Sequence, residues 1–350
     1  MNRPNVLFIL SDQHKAKLAG YAGHDVVQTP ALDRLAAEGV VFRNAVCNNT
    51  ICTPSRMSFL SGQYCHNHGY YGLSGPHPGP LPSMLSHFRE NGYRTGAIGK
   101  MHCPDYWIED HAHVFTEAAN SSVGGSPEYE AYLRSHGLLN LRDDRRYPEH
   151  PAMSLDARPS SLPYEHTVDA WIGRESVAFM EACADADSPF FLHMSFPHPH
   201  QVYAPAQEFW ELYPESAISL PPNAEWSLEG KAPHLRAMAE GFRTGDWTLF
   251  EPRTHEAGRL RKLRGYYGVI SQVDHAIGEV VDWMEHAGLL ENTIIVYSSD
   301  HGEYAAEHGI LEKAPGICSD AVTRIPMVWR VPGPSGASRS TDGAPRGRTE

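Results

Sequence analysis

The chain has 350 residues, 41% hydrophobic and 20% charged, an ordinary globular composition with length enough for one large α/β domain or two smaller ones. Its formal net charge of −13 argues against non-specific nucleic-acid binding, which needs a basic footprint. No apolar run approaches a membrane span, residues 6–10 are too short for a signal-peptide core, and the six cysteines form no CxxC pair. The expectation is a soluble, cytoplasmic protein without a membrane or nucleic-acid partner.

Residues 5–11 (NVLFILS) are a continuous apolar run and predict a strand buried on both faces, as in a parallel sheet; Asp12 follows at once. Thr29-Pro30 opens a helix with proline at its first position, with Leu32, Leu35 and Ala36 on the apolar face and Gly39 at the end. Residues 40–46 predict a second strand. A helix is expected to start near Pro54 and run towards Gly62, with Cys52 just ahead of it. Residues 81–91 read as a helix closed by Gly92, and residues 94–99 as a strand followed by Lys100. Residues 108–163 are polar and irregular, an insertion expected to shape a substrate pocket. Helical periodicity returns at 164–182, then a buried strand at 189–196 (PFFLHMSF), then a second pocket-forming insertion at 197–251. Residues 256–288 predict a long helix, kinked at Gly268. Residues 293–299 (TIIVYSS) form a strand ending in Asp300-His301, and residues 325–330 the last strand. Strands alternating with helices predict an α/β fold: a large, mostly parallel, mixed sheet with helices on both faces. Residues 1–331 would be one catalytic domain, and residues 332–350, almost without apolar side chains, a disordered tail.

Three buried strands therefore end in polar residues: Asp12, Lys100 and Asp300-His301. Ligands of open α/β sheets bind beyond the carboxyl ends of strands. Two carboxylates, the Gln13 amide and an imidazole could converge there on one divalent cation. Oxygen-rich sites suit Ca²⁺ or Mg²⁺, and an imidazole admits Mn²⁺. The plainer alternative is that Asp12 and Asp300 cap the helices that follow. The strongest local feature is Cys52-Thr53-Pro54-Ser55-Arg56. A helix N-terminus stabilises anions and lowers a thiol pKa, and Arg56, one turn on, could hold an anion or orient a nucleophile. On composition alone, a buried structural cysteine is the simpler reading.

CTPSR fits the CxPxR pattern at which a dedicated enzyme oxidises the cysteine of sulfatases to formylglycine. NVLFILSDQ, TPALDRLAAEGVVFRNAV, CTPSRMSFLSGQY, YRTGAIGKMH, SFPHPHQVY, TIIVYSSDHGE and LEKAPGICSDAVTRIPMVWR follow in that family's order, over residues 5–331. The chain thus resembles the sulfatase family. The resemblance implies an alkaline-phosphatase-like fold and metal-dependent hydrolysis of sulfate esters. It implies Asp12, Asp300 and His301 as metal ligands with Gln13 beside them. Cys52, as formylglycine, would be both ligand and nucleophile, steadied by Arg56. Lys100 and His102 would lie at the nucleophile and sulfate oxygens, and Lys313 would contact the sulfate. His200 or Lys313 would protonate the leaving oxygen, with His198 a competitor for the place of His200. One divalent cation is implied, Ca²⁺ first, with Mn²⁺ or Mg²⁺ as alternatives. The implied partners are a small anionic ester and the formylglycine-generating enzyme; a homo-oligomer stays open.

The pairs Asp12-Gln13 and Asp300-His301 resemble those of bacterial choline sulfatases and phosphonate monoester hydrolases. They leave sulfate ester against phosphonate or phosphate diester undecided, and residues 70–75 hold no clear counterpart of the choline-sulfatase asparagine. Relatives continue past RIPMVWRVPG into a smaller C-terminal subdomain, which is expected to be missing here. A truncated, inactive remnant is therefore a rival reading. A metal-independent cysteine hydrolase using Cys52 with a histidine is a third.

Overall fold

The sheet is built as the alternation of apolar side chains requires. The computed structural model describes residues 3–75, 79–103, 107–117, 127–142, 157–225, 227–244, 256–313 and 318–333. Among them, seven strands form one sheet: β1 (Asn5–Asp12), β2 (Val40–Val41), β3 (Arg94–Gly99), β4 (Val114–Glu117), β5 (Phe190–Pro199), β6 (Thr293–Ser299) and β7 (Met327–Arg330), in the order β2-β7-β6-β1-β5-β3-β4. From β4 to β6 each neighbouring pair is parallel; β7 on β6 and β2 on β7 are antiparallel. The helices are α1 (Pro30–Glu38), α2 (Cys52–Ser61), α3 (Cys65–His68), α4 (Met84–Glu90), α5 (Pro127–Ser135), α6 (Val168–Ala184), α7 (Gln207–Glu211), α8 (Pro233–Thr244), α9 (Glu256–His286) and α10 (Asp320–Thr323).

Successive residues of a strand point to opposite faces. Leu7 and Ile9 of β1, Leu192 and Met194 of β5, and Ile295 and Tyr297 of β6 join one core with α1, α5, α6 and α9. Phe8 and Leu10, Phe191, and Val296 enter a second core with Met57 and Leu60 of α2 and Leu85 of α4. The sheet thus lies between two helical layers, as expected. Asp274 of α9 ties the first layer together: its carboxylate accepts from the backbone N–H groups of Ala31 (2.9 Å) and Leu32 (2.8 Å) at the start of α1. Thr29 makes no side-chain cap there.

Several boundaries differ from expectation, each for a local reason. Helix α2 begins at Cys52 itself, with Pro54 inside its first turn, where no backbone N–H is needed. Helix α4 starts at Met84, because Ser83 and Ser86 form a reciprocal capping box ahead of it. The strand expected over 40–46 pairs only at Val40–Val41, and Val46 makes a single bridge to Arg324. The region read as irregular contains β4 and α5, and the second insertion contains α7 and α8. Residues 118–126, 143–156, 226 and 245–251 of these insertions lie outside the described residues, as does the expected tail from 334 onward. Helix α9 is one unbroken 31-residue element through Gly268. That glycine serves close packing: a Cβ there would meet Pro205 Cγ at 2.6 Å. Among the described residues, no helix is long and apolar enough to cross a membrane.

Two core histidines make stability pH-dependent. Burial holds His193 down to about 3, with Arg56 adding to the effect; its ring stacks on Phe8. Burial likewise holds His14 down to about 4, against the pull of the Leu18 carbonyl. Both folded values lie below the unfolded value of about 6.5. The stabilisation is therefore complete above that value and is lost as pH falls towards 4 and then 3, because only the unfolded chain takes up the protons. At pH 5 each group should cost about 2 kcal/mol relative to pH 7.5. Urea midpoints of wild type and His193→Phe at the two pH values test this. The variant should lose less stability on acidification by about that amount, and equal losses would refute the assignment.

Candidate active site

The carboxyl ends of four neighbouring strands, β6, β1, β5 and β3, face the N-terminus of α2. Asp12 ends β1, Asp300 and His301 follow β6, Lys100 and His102 follow β3, and His200 follows β5. Cys52 is the first residue of α2, so the free N–H groups of that helix lie beside its sulfur.

Asp12, Cys52, Asp300 and His301 are all buried and bring one ligand atom each to within 4.8 Å of one another. Cys52 Sγ lies 3.3 Å from His301 Nε2 and 3.9 Å from Asp12 Oδ1. His301 Nε2 is 3.6 Å from the Oδ1 atoms of both aspartates. A cation bonded at roughly 2.0–2.6 Å to two ligands spans at most about 5 Å between them. Two carboxylates and one imidazole suit Ca²⁺, Mg²⁺ or Mn²⁺, so the donor set fits such an ion. The second carboxylate oxygens turn to Arg56, whose Nε donates to Asp300 Oδ2 (2.8 Å) and whose Nη2 meets Asp12 Oδ2 at 3.3 Å. Arg56 Nη1 also donates to the Lys100 carbonyl (2.7 Å) and to Ser195 Oγ (2.8 Å). Lys100 Nζ pairs with Asp12 Oδ2. Each carboxylate thus keeps one oxygen for the centre and gives the other to a fixed cation.

The electrostatics favour an anion at position 52. Burial pushes the Cys52 thiol up, but Lys313, His301, Lys100 and a hydrogen bond from His102 outweigh it and hold it well below the usual thiol range. Burial and the Cys52 thiolate push Asp12 up; Lys100, His200 and Arg56 hold it below the usual carboxylate range. Asp300 goes the other way, raised by burial and by Asp12. His200 is lowered to about 4, by burial first and then by Lys313, and bonds to Cys52. Lys313 Nζ donates to Gln13 Oε1 at 3.0 Å.

Asp12, Gln13, Cys52, Arg56, Lys100, His102, His200, Asp300, His301 and Lys313 are therefore brought to one place. Gln13 adopts a left-handed conformation (φ 68°), and its side chain reaches Lys313 and Glu303. His198 is held elsewhere: its Nδ1 bonds Asp169 Oδ2 at 2.7 Å, while His200 takes the place beside Cys52. Sequence reasoning missed Glu303 and Ser195. Glu303 stands in the segment TIIVYSSDHGE, and an acidic residue four positions past a buried strand was its only signal.

Structural likeness shows the fold first. The chain matches phosphonate monoester hydrolases of Silicibacter pomeroyi (TM-score 0.75, 23% identity, 95% of this chain and 68% of that one) and Agrobacterium radiobacter (TM-score 0.73, 22% identity, 94% and 68%). The fold is alkaline-phosphatase-like. The sulfatase family profile matches residues 4–344, and the chain belongs to that family. It is 28% identical over 356 residues to the uncharacterized sulfatase YidJ of Escherichia coli, covering 98% of this chain and 65% of that protein. It is 27% identical over 349 residues to choline-sulfatase of Rhizobium meliloti, covering 95% and 63%. The chain thus spans somewhat less than two thirds of the length of these curated relatives.

Proposed function

We propose that this chain hydrolyses sulfate esters, with formylglycine formed from Cys52 as the nucleophile and one divalent cation held by Asp12, Asp300, His301 and residue 52, with Gln13 beside them. The carrying observation is the position of Cys52 Sγ, 3.3 Å from His301 Nε2 at the start of α2. In this reading Sγ stands where the oxygens of the modified residue would lie. The cation would supply Lewis acidity and favour the ionised nucleophile. Formylglycine, once one water has added across its aldehyde, would supply two hydroxyls on one carbon: one to attack sulfur as the alcohol leaves, and one whose proton loss re-forms the carbonyl and breaks the bond to sulfate.

The remaining work falls to side chains already in place. Arg56 fixes both aspartates, and Lys100 and Lys313 offset charge on the sulfate oxygens. His200, largely neutral at pH 7, needs substrate to acquire the proton it would give to the leaving oxygen, so Lys313 remains its alternate. His102, bonded to residue 52, is placed to take the proton from the second hydroxyl. Lys313→Ala should lower kcat on the order of 10²-fold with an unchanged melting temperature, since its role is electrostatic; full turnover in that variant would remove it from the mechanism.

The Asp12-Gln13 and Asp300-His301 pairs also favour a second reading, a phosphonate monoester or phosphodiester hydrolase with the same site. Assay after co-expression with the formylglycine-generating enzyme separates the readings, using p-nitrophenyl sulfate, p-nitrophenyl phenylphosphonate and bis-p-nitrophenyl phosphate with Ca²⁺, Mn²⁺, Mg²⁺ or EDTA. Sulfate turnover that EDTA abolishes supports the proposal. A preference for the phosphorus esters favours the second reading. Activity that survives EDTA points to a cysteine hydrolase, and inactivity on all three esters points to a remnant.

A further inference from the structure

We infer that Glu303 is a positioning residue that dictates which atom of the Gln13 amide faces the cation site and Lys313; the inference rests on the proposed metal-dependent reading. Glu303 is buried in the segment after β6. Its Oε2 accepts from Gln13 Nε2 at 2.6 Å. Its Oε1 accepts from the backbone N–H of Ala305 at 3.1 Å and from that of Glu312. Both carboxyl oxygens of Glu303 thus act as acceptors, and the amide turns its NH₂ group towards Glu303. Gln13 Oε1 then has to face the other way, where it accepts from Lys313 Nζ at 3.0 Å. One acidic side chain thereby keeps an oxygen, not a nitrogen, aimed at the centre.

The same carboxylate secures the approach of Lys313. Ala305, Ala306, His308 and Glu312 all have left-handed backbone angles without being glycine, a costly run that needs external support. Glu303 bonds the N–H groups of two of them, and the Glu312 bond fixes the residue immediately before Lys313. Lys15 braces the segment from behind, donating to the carbonyls of Glu303 (2.8 Å) and Tyr304 (3.2 Å).

The reciprocal exchange tests this. In Glu303→Gln, the new amide oxygen can still accept from Ala305 and Glu312, but its NH₂ group faces Gln13. The Gln13 amide should then flip and present its NH₂ to Lys313 and the cation site. Cation affinity, read by calorimetry with Ca²⁺ and Mn²⁺, and kcat/KM should both fall about tenfold or more. Gln13→Glu alone sets two carboxylates against each other and should lose similarly. Combining Gln13→Glu with Glu303→Gln restores a donor facing an acceptor and returns an oxygen to the centre, so both readouts should recover most of the loss. A combined variant no better than Gln13→Glu alone overturns the inference, and this comparison holds even where Glu303→Gln alone fails to fold. Wild-type behaviour of Glu303→Gln overturns it too. Wild type that neither binds a divalent cation nor turns over ester brings down the proposed function itself.

Discussion

Arg56→Met should cost about 3–5 kcal/mol of stability in the absence of divalent cations and abolish turnover. The guanidinium is completely buried and donates to groups carried by four strands: Asp300 after β6, Asp12 of β1, Ser195 within β5 and the Lys100 carbonyl after β3. Methionine fills a similar volume, so the loss is electrostatic rather than a cavity. Asp12 keeps Lys100, but Asp300 loses its guanidinium and is left with the backbone N–H groups of Gln13 and His301 on its Oδ1 and the His301 imidazole at 3.6 Å. A buried carboxylate without its cation is the costly product of breaking such a pair. Arg56→Lys retains charge but cannot reach four acceptors in one plane, so it should fall between. A bound divalent cation supplies positive charge to the same carboxylates. Adding Ca²⁺ should therefore recover part of the stability of Arg56→Met, and more than it adds to wild type. Urea denaturation in EDTA and in Ca²⁺ measures both effects. A variant as stable as wild type in EDTA would sink the view that Arg56 holds the two aspartates together.

What could be read from the sequence follows how locally each signal is encoded. The continuous apolar runs ending in Asp12 and in Asp300-His301 announced buried parallel strands, and the structure places both pairs at neighbouring carboxyl ends. Cys52 and Arg56 were legible because one helical turn separates them. Lys100 was legible because it directly follows a strand. The convergence of these residues was not encoded in any one segment. It arose from the order β6-β1-β5-β3, which brings ends far apart in sequence together. The resemblance of seven segments in order, rather than periodicity, carried that step.

The misses share one cause. Helix α5 and strand β4 were hidden because polar residues and prolines around them masked short apolar patterns. The start of α4 depended on two serines bonding each other, and the N-terminus of α1 on an aspartate 243 positions away. Glu303 could not be assigned from sequence because its role lies in where three donors meet, two of them backbone groups. Its importance is a matter of polarity. Reversing one amide would turn an acceptor into a donor at the centre of the site without moving a single backbone atom.

Cys52→Ser should reduce multiple-turnover activity by on the order of 10³-fold or more, while the fold and the cation site stay intact. Serine keeps a hydroxyl at the first position of α2, beside His301 and within reach of the charge from Lys100 and Lys313. It can attack sulfur but has no second hydroxyl on the same carbon, so the sulfated residue cannot collapse to a carbonyl. The variant should stall after at most one turnover as a covalently sulfated enzyme. In the wild-type chain, mass spectrometry of the peptide containing Cys52 should show a loss of about 18 mass units, the difference between a thiol and the aldehyde that replaces it. The unmodified thiol is the instructive control, because its surroundings hold it well below the usual thiol range, 3.3 Å from an imidazole, the arrangement of a cysteine nucleophile. If that form alone accounted for turnover, EDTA would leave the rate unchanged and an alkylating reagent would remove it. An active preparation whose peptide is wholly unmodified cysteine would overturn the formylglycine mechanism and leave the cysteine hydrolase in its place.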